Sequence, residues 1–305
     1  MSWSVVVASP KGEAGAQWGD TWFASDLVEA LERAGQRARV VHRGGAESAA
    51  READDVVVVL RGLRRVRPRR PATGGGAAWL LWVISHPELV EPDEPDDFDA
   101  VFAASACWSR ASEFGVPVLP LLQATNPRRF SPSAAPADTG ARALFVGSTR
   151  GEYRPAVRAC VDGGVELALY GVGWEEFVAP SVIAGEFLPN ELLPAAYAAA
   201  WTVLNDHWPD MAAEGFLSNR LFDAVATGTR VLSDRAAGMS EVFGTAVVAY
   251  DDPNEIPALL ARPVDEVFAG RPTRLEHAAR IAREHSFDAR AAELIERAEQ
   301  IRDAS

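Results

Sequence analysis

The densest run of chemically capable side chains lies between residues 204 and 234, LNDHWPDMAAEGFLSNRLFDAVATGTRVLSD. Within it, SNRLFDAVATG reads as a helix that opens at Ser218, a good N-cap residue, and closes at Gly228. Asn219 and Asp223 are four residues apart and share a face, with Arg220 one position round. Leu221, Phe222 and Val225 point the other way, to a core. A helix N-terminus offers free N–H groups and the positive end of its dipole to an anion. Arg220 adds a fork-shaped cation, and a carboxylate one turn deeper can accept from ribose hydroxyls. The chemistry this fits is a nucleoside diphosphate, with phosphates at Asn219 and Arg220 and the sugar at Asp223. The simpler reading is a solvated helix start.

Other candidates sit where apolar strand runs end. Asn205, Asp206 and His207 close one such run. Asp206, His207 and Asp210 suggest a metal set, but no second histidine follows at helical spacing, so no metal is assigned. FVGSTRGEYR places Gly147 and Ser148 in a turn before a helix, with Arg150 and Arg154 as cations for a phosphate. YGVGW places Gly171 and Trp174 where backbone approaches closely, with the indole beside a planar base. In ISHPE, His86 stands where a buried run stops at Pro87. In SPKGEAGAQWGD, Asp20 is either a helix cap or a base. That loop is neither a Walker A nor a GxGxxG loop, because Lys11 precedes its glycines at 12, 15 and 19.

Strands alternating with helical patterns must position these groups. WSVVVAS, RARVVHR, DDVVVVL, AWLLWVIS, DAVFAAS and VPVLPLL form a first set, with a helix whose face carries Phe23, Leu27, Ala30 and Leu31. ARALFVGS, VELALYG, WTVLND, TRVLSD and AVVAYDD form a second. The expectation is an α/β chain: a βα domain with a parallel sheet over 1–125, a Pro- and Ala-rich linker over 126–141, and a second such domain over 142–284. Ligands bind beyond the carboxyl ends of parallel strands, so two sheets facing across a cleft would hold the site.

Composition excludes several classes. The chain has 305 residues, 48% hydrophobic, and a formal net charge of −13, which argues against nucleic acid as a partner. Two cysteines, Cys107 and Cys160, give no disulfide framework, and a reducing cytoplasm is expected. MSWSVVVASP reads as a first strand with no signal peptide, and no apolar stretch reaches transmembrane length. RGLRRVRPRRP and ELVEPDEPDDFD read as solvated charged loops, the arginines also suiting an acceptor phosphate or a membrane surface.

In order along the chain, WGDTWFASDLVEAL, WLLWVISHPELV, FVGSTRGEYR, YGVGW, the 204–234 run and AYDDPNEIPALL resemble the GT-B glycosyltransferases. More narrowly, they are similar to the group-one branch that includes spore-maturation-protein-like transferases, related to glycosyltransferase family four. The resemblance implies two Rossmann-like βαβ domains, the acceptor domain first and the sugar-nucleotide donor domain second, with the segment 285–305 crossing back to the first. It implies metal-independent, cofactor-free transfer of a sugar from a UDP-type nucleotide to a small-molecule, glycan or peptide acceptor, with retention in many relatives. His86 matches the histidine that contacts the transferred sugar. Asp223 stands where the family places a ribose-binding glutamate, and Glu214 is nine residues before it where relatives space two glutamates by eight. An NDP-sugar epimerase or a non-catalytic sugar-nucleotide binder would share the fold.

Overall fold

A computed structural model describes residues 1–44, 53–70, 76–132 and 141–304. The chain forms two compact units, Met1–Ala124 with Pro209–Leu217 and His285–Ser305, and Thr125–Trp208 with Ser218–Glu284.

In the first unit, β1 (Ser2–Val6), β2 (Arg37–Val41), β3 (Val56–Arg61), β4 (Ala78–Val83), β5 (Ala100–Ala103) and β6 (Val118–Pro120) pair in parallel. Their order is β2-β1-β3-β4-β5-β6. β3 and β4 are buried at every position, as a parallel strand covered on both faces must be. Helix Gly19–Arg33 packs Phe23, Leu27, Ala30 and Leu31 into this core. Helix Phe287–Asp303 adds Phe287, Ala291, Leu294 and Ala298, an amphipathic spacing. Phe23 meets Phe287 edge-on at 4.7 Å, and Ser286 caps the helix by accepting from the Ala289 amide.

The expected second domain runs unbroken from 142 to 284, but Pro209–Leu217 belongs to the first unit. Local bonds hold it there. The Glu214 carboxylate accepts from the Ser109 amide at 2.7 Å and hydroxyl at 2.8 Å. Ser105 donates to the Glu214 carbonyl at 2.6 Å, and Trp108 lies edge-on to Phe216 at 5.5 Å. Of the expected linker, residues 133–140 lie outside the described residues, and 126–132 belong to the second unit.

The two charge runs meet each other. Arg61, 3% exposed, donates to Glu94, 0% exposed, through Nε at 2.7 Å and Nη2 at 3.2 Å. Arg65 bridges Glu91, Asp93 and Asp97, and Arg70 reaches Asp99 at 3.0 Å. The acidic run is thus a counter-charge for the arginines, which a period-based reading of either loop alone does not reveal.

The second unit holds β7 (Ala143–Val146), β8 (Leu167–Tyr170), β9 (Ile183–Gly185), β10 (Val203–Asn205), β11 (Val231–Asp234) and β12 (Val247–Tyr250), all parallel. Their order is β12-β11-β10-β7-β8-β9. Counted from β7, this is the 3-2-1-4-5-6 order of dinucleotide-binding folds, with its switch point between β7 and β10. The sequence reading passes over β9, whose three residues, Ile-Ala-Gly, carry too little pattern. Helix Asn219–Ala226 buries Leu221, Phe222 and Val225, as its pattern predicts. The loops after β7 and β8 touch backbone to backbone. Gly171 has φ +145°, and a Cβ there would drive into the Gly147 carbonyl. Among the described residues, no helix is long and apolar enough to cross a membrane.

Two stability predictions follow from these contacts. Glu94→Ala leaves Arg61 buried without its carboxylate and is expected to cost about 3–5 kcal/mol in urea unfolding. Gly171→Ala is expected to cost about 1–3 kcal/mol through strain at its positive φ and displacement of the Gly147 loop. Wild-type midpoints in either variant would contradict the packing described.

Candidate functional site

The second unit's candidate side chains gather at the carboxyl ends of β7 and β10. Arg220, on the first turn of helix Asn219–Ala226, donates through Nη1 to Asn205 Oδ1 at 2.9 Å and through Nη2 to the Val146 carbonyl at 2.5 Å. Val146 ends β7 and Asn205 ends β10, so one guanidinium spans the switch point. It lies 5.1 Å from the Phe145 ring centroid, and Arg154 lies 4.5 Å from the same centroid. Gly147 follows at this corner. A Cβ there would sit 3.0 Å from Arg154 Nη1 and 3.2 Å from Arg220 Nη2, so the site needs glycine for space.

Arg154 is not a surface cation. It is 1% exposed, grips Asp206 with two nitrogens and donates to the Ser148 carbonyl at 2.9 Å. Burial, then the charges of Arg150 and Arg220, press its pKa down, and Asp206 supplies the opposing charge. Asp206 is therefore committed to holding the Gly147–Ser148 loop from below. Trp174 is likewise fully buried, and its Nε1 donates to the Gly147 carbonyl at 2.8 Å. The indole expected beside a planar base instead fixes the loop, because its flat apolar surface is consumed by Phe145 and the core.

A hydrogen-bonded circuit secures the helix. The Ser218 amide donates to His207 Nε2 at 3.0 Å. His207 Nδ1 lies 2.7 Å from Asp234 Oδ1, and the His207 amide donates to Asp234 Oδ2 at 2.9 Å. Ser233 donates to Asp234, and Asn205 Nδ2 donates to Ser233 at 2.9 Å. Asn205 Oδ1 then accepts from Arg220, two residues from where the circuit began. Burial raises the Asp234 carboxyl, but hydrogen bonds and charge from His207, with Ser233, outweigh it and hold the group below the ordinary carboxylate range. Ser218 occupies the N-cap position with extended backbone, yet its hydroxyl makes no cap bond. The imidazole instead satisfies the N–H of Ser218 itself.

Asn219 and Asp223 meet as their spacing predicts, Nδ2 to Oδ2 at 2.8 Å. The other oxygen of Asp223 accepts from Thr125 at 2.8 Å. Ser148 is exposed. Arg150 adopts φ +60° and stacks its guanidinium 4.3 Å from the Trp208 ring centroid. The structure thus brings Gly147, Ser148, Arg150, Asn219 and Arg220 to a part-open surface, over a buried frame of Arg154, Trp174, Asn205, Asp206, His207 and Asp223. Sequence reasoning misses Asp234, Ser233 and Thr125. The first two end the VLSD run, and strand-end position was the available signal.

In the first unit, Asp20 lies beside Ser85 just past β3 and β4, where both would crowd a Cβ on Gly62. Asp20 does not cap its helix, whose N-cap position is Trp18. It keeps some open surface, but its carboxyl is packed deeply enough that burial raises its pKa, against the charge of His86. His86 adopts the left-handed region, φ +53°, and pairs with Glu88 at 3.1 Å. Ligand-capable atoms of His86, Glu88 and Asp210 lie within 4.8 Å of one another. Burial, then a hydrogen bond with Asp210, raises the Glu88 carboxyl. Of the metal set considered in the sequence, Asp206 is paired with Arg154 and His207 with Asp234.

Residues 152–296 match the sequence model of a family described as glycosyl transferase-like. No curated protein matches the chain. Among solved structures, a sucrose-phosphate synthase from Thermosynechococcus elongatus superposes with TM-score 0.71 at 14% identity, covering 100% of both chains. AviGT4, a glycosyltransferase involved in avilamycin A biosynthesis, gives 0.64 at 16% identity, covering 99% of this chain and 98% of that one. Anabaena HepE in complex with UDP gives 0.65 at 10% identity, covering 98% and 100%. The chain therefore has the two-Rossmann, GT-B-type fold of these proteins, and its second half carries the glycosyl transferase-like sequence pattern.

Proposed function

We propose that the chain is a glycosyltransferase that takes a sugar from a nucleoside-diphosphate donor, UDP-linked by preference, within the group-one branch that includes spore-maturation-protein-like transferases. The observation that carries the reading is Arg220, held across the β7–β10 switch point beside the N-terminus of its helix. This is the place where such sheets bind nucleotides, and the charge there suits a diphosphate. The UDP bound by the structurally similar HepE supports the choice of base. Donor transfer in this reading needs no metal on the diphosphate: Arg220, Arg150 and the helix N-terminus stabilise the leaving group as preorganised positive charge.

His86 orients the transferred sugar, and Asp20 takes the proton of an acceptor hydroxyl. The acceptor enters over Trp18–Trp22. A raised carboxyl pKa suits a base that works nearer neutrality. Asp223 keeps its assignment to the ribose, now through the edge of a carboxylate already anchored by Thr125 and Asn219.

UDP is expected to raise the melting temperature of the wild type, since a ligand for the native state alone stabilises by about 2.7 kcal/mol at a hundredfold excess over its Kd. Arg220→Ala is expected to lower kcat/KM for donor about 10²–10³-fold. Near-wild-type activity in that variant sinks the diphosphate assignment. Mass spectrometry of donor incubated without acceptor separates the alternatives: an isomerised donor indicates an epimerase, and an unchanged one with tight binding and no transfer to any acceptor indicates a binding protein. Activity should rise with pH through the raised Asp20 pKa, because the ionised form is the base. Asp20→Asn is expected to abolish that limb, and its persistence would assign the base elsewhere.

A further inference from the structure

We propose that Asp234 and His207 are a positioning pair that sets the histidine tautomer and, through it, the geometry of the diphosphate cradle. The inference rests on the donor reading above and adds two residues that do not themselves touch the donor.

Donor and acceptor counts fix the tautomer of His207. The Ser218 amide is a donor only, and it points at His207 Nε2 at 3.0 Å. That nitrogen must therefore be the unprotonated one. The proton then sits on Nδ1, which faces Asp234 Oδ1 at 2.7 Å. An ionised carboxylate only accepts, so it selects this tautomer. The Asn205 amide also approaches Nδ1, but at 3.5 Å, and its nitrogen is already donating to Ser233 at 2.9 Å. The His207 side chain is fully buried, so water cannot take over any of these bonds. Asp234 grips the same residue again through its backbone amide.

The consequence reaches both sides of the cradle. Through His207, Asp234 fixes the Ser218 amide and hence where the helix begins. Through Ser233 and Asn205, it fixes the oxygen that aims Arg220. Replacing the carboxylate by an amide puts an N–H2 opposite a residue that presents two donors. With its N–H2 turned to the ring, the amide forces the proton to Nε2, where it meets the Ser218 N–H donor to donor; turned the other way, it meets the His207 backbone N–H donor to donor. The same logic separates tautomer-setting carboxylates from merely charged ones in catalytic triads.

The test has a readout that needs no donor. The chain has five histidines, and long-range ¹H–¹⁵N spectra distinguish their tautomers, with His207→Gln supplying the assignment. The expected result is an Nδ1–H tautomer for His207 in the wild type and, in Asp234→Asn, either its loss or a displaced His207 backbone amide resonance. UDP titration by calorimetry is expected to show Kd raised about tenfold in Asp234→Asn, in a protein whose circular dichroism is unchanged. His207→Gln keeps an acceptor near the Nε2 position and should retain more affinity than His207→Ala. Asp251→Asn, at an exposed pair with Arg235, is the control and should bind as wild type. A wild-type Nε2–H tautomer overturns the pair, as does unchanged UDP affinity in both Asp234→Asn and His207→Ala. Failure of the wild type to bind UDP counts against the donor reading instead, and the tautomer spectrum still decides the pair.

Discussion

One guanidinium holds the second unit's working corner together. Arg220 reaches the last carbonyl of β7 and the last side chain of β10 from the first turn of a helix that follows both in sequence. A parallel sheet leaves its central strand ends as separate loops, each free to drift. A planar donor with a fixed fork, spanning two of them, converts three loose ends into one rigid corner. Phe145 beneath and the absent side chain of Gly147 above make room for it. Everything else in the site refines this arrangement.

The refinement has layers with distinct physics. Arg154 and Asp206 form a buried ion pair, which contributes little net stability but leaves a costly unpaired charge if either partner is lost. Its effect is therefore to forbid other loop positions. Trp174 adds an apolar wedge with one polar handle. The Asp234–His207 pair adds direction, since it decides which atoms donate. In the first unit, the left-handed His86 and the raised Asp20 show a second place where local comfort is given up near strand ends.

Much of this was legible in the residues. The central strands are buried, so their apolar content could not have been hidden, and β1 through β8 and β10 through β12 all fall on the runs read from the sequence. The Asn219–Asp223 contact follows from helical spacing alone. What was hidden depends on distant partners. Nothing near Trp174 says that its ring is swallowed by the core, and nothing near Arg154 says that Asp206, fifty-two positions on, will take its charge. The arginine run and the acidic run each look solvated until they are seen to face each other. Asp234 carries no motif. Its importance comes from which histidine nitrogen it meets, a fact of three dimensions.

The nested connectivity has a consequence for how the protein is made. Helix Phe287–Asp303 belongs to the first unit's core, and Pro209–Leu217 is held by Ser105 and Ser109 of that unit. The unit whose sheet emerges first from the ribosome is therefore the last to be completed. Until helix Phe287–Asp303 arrives, the faces of Phe23 and Trp82 that it covers stay open on a nascent chain already carrying all twelve strands described above. Neither unit is a contiguous stretch that could be cut out and expressed alone. A permutation that joins residue 303 to residue 2 would bring helix Phe287–Asp303 next to β1 in synthesis order, and so shorten the interval in which that surface is bare.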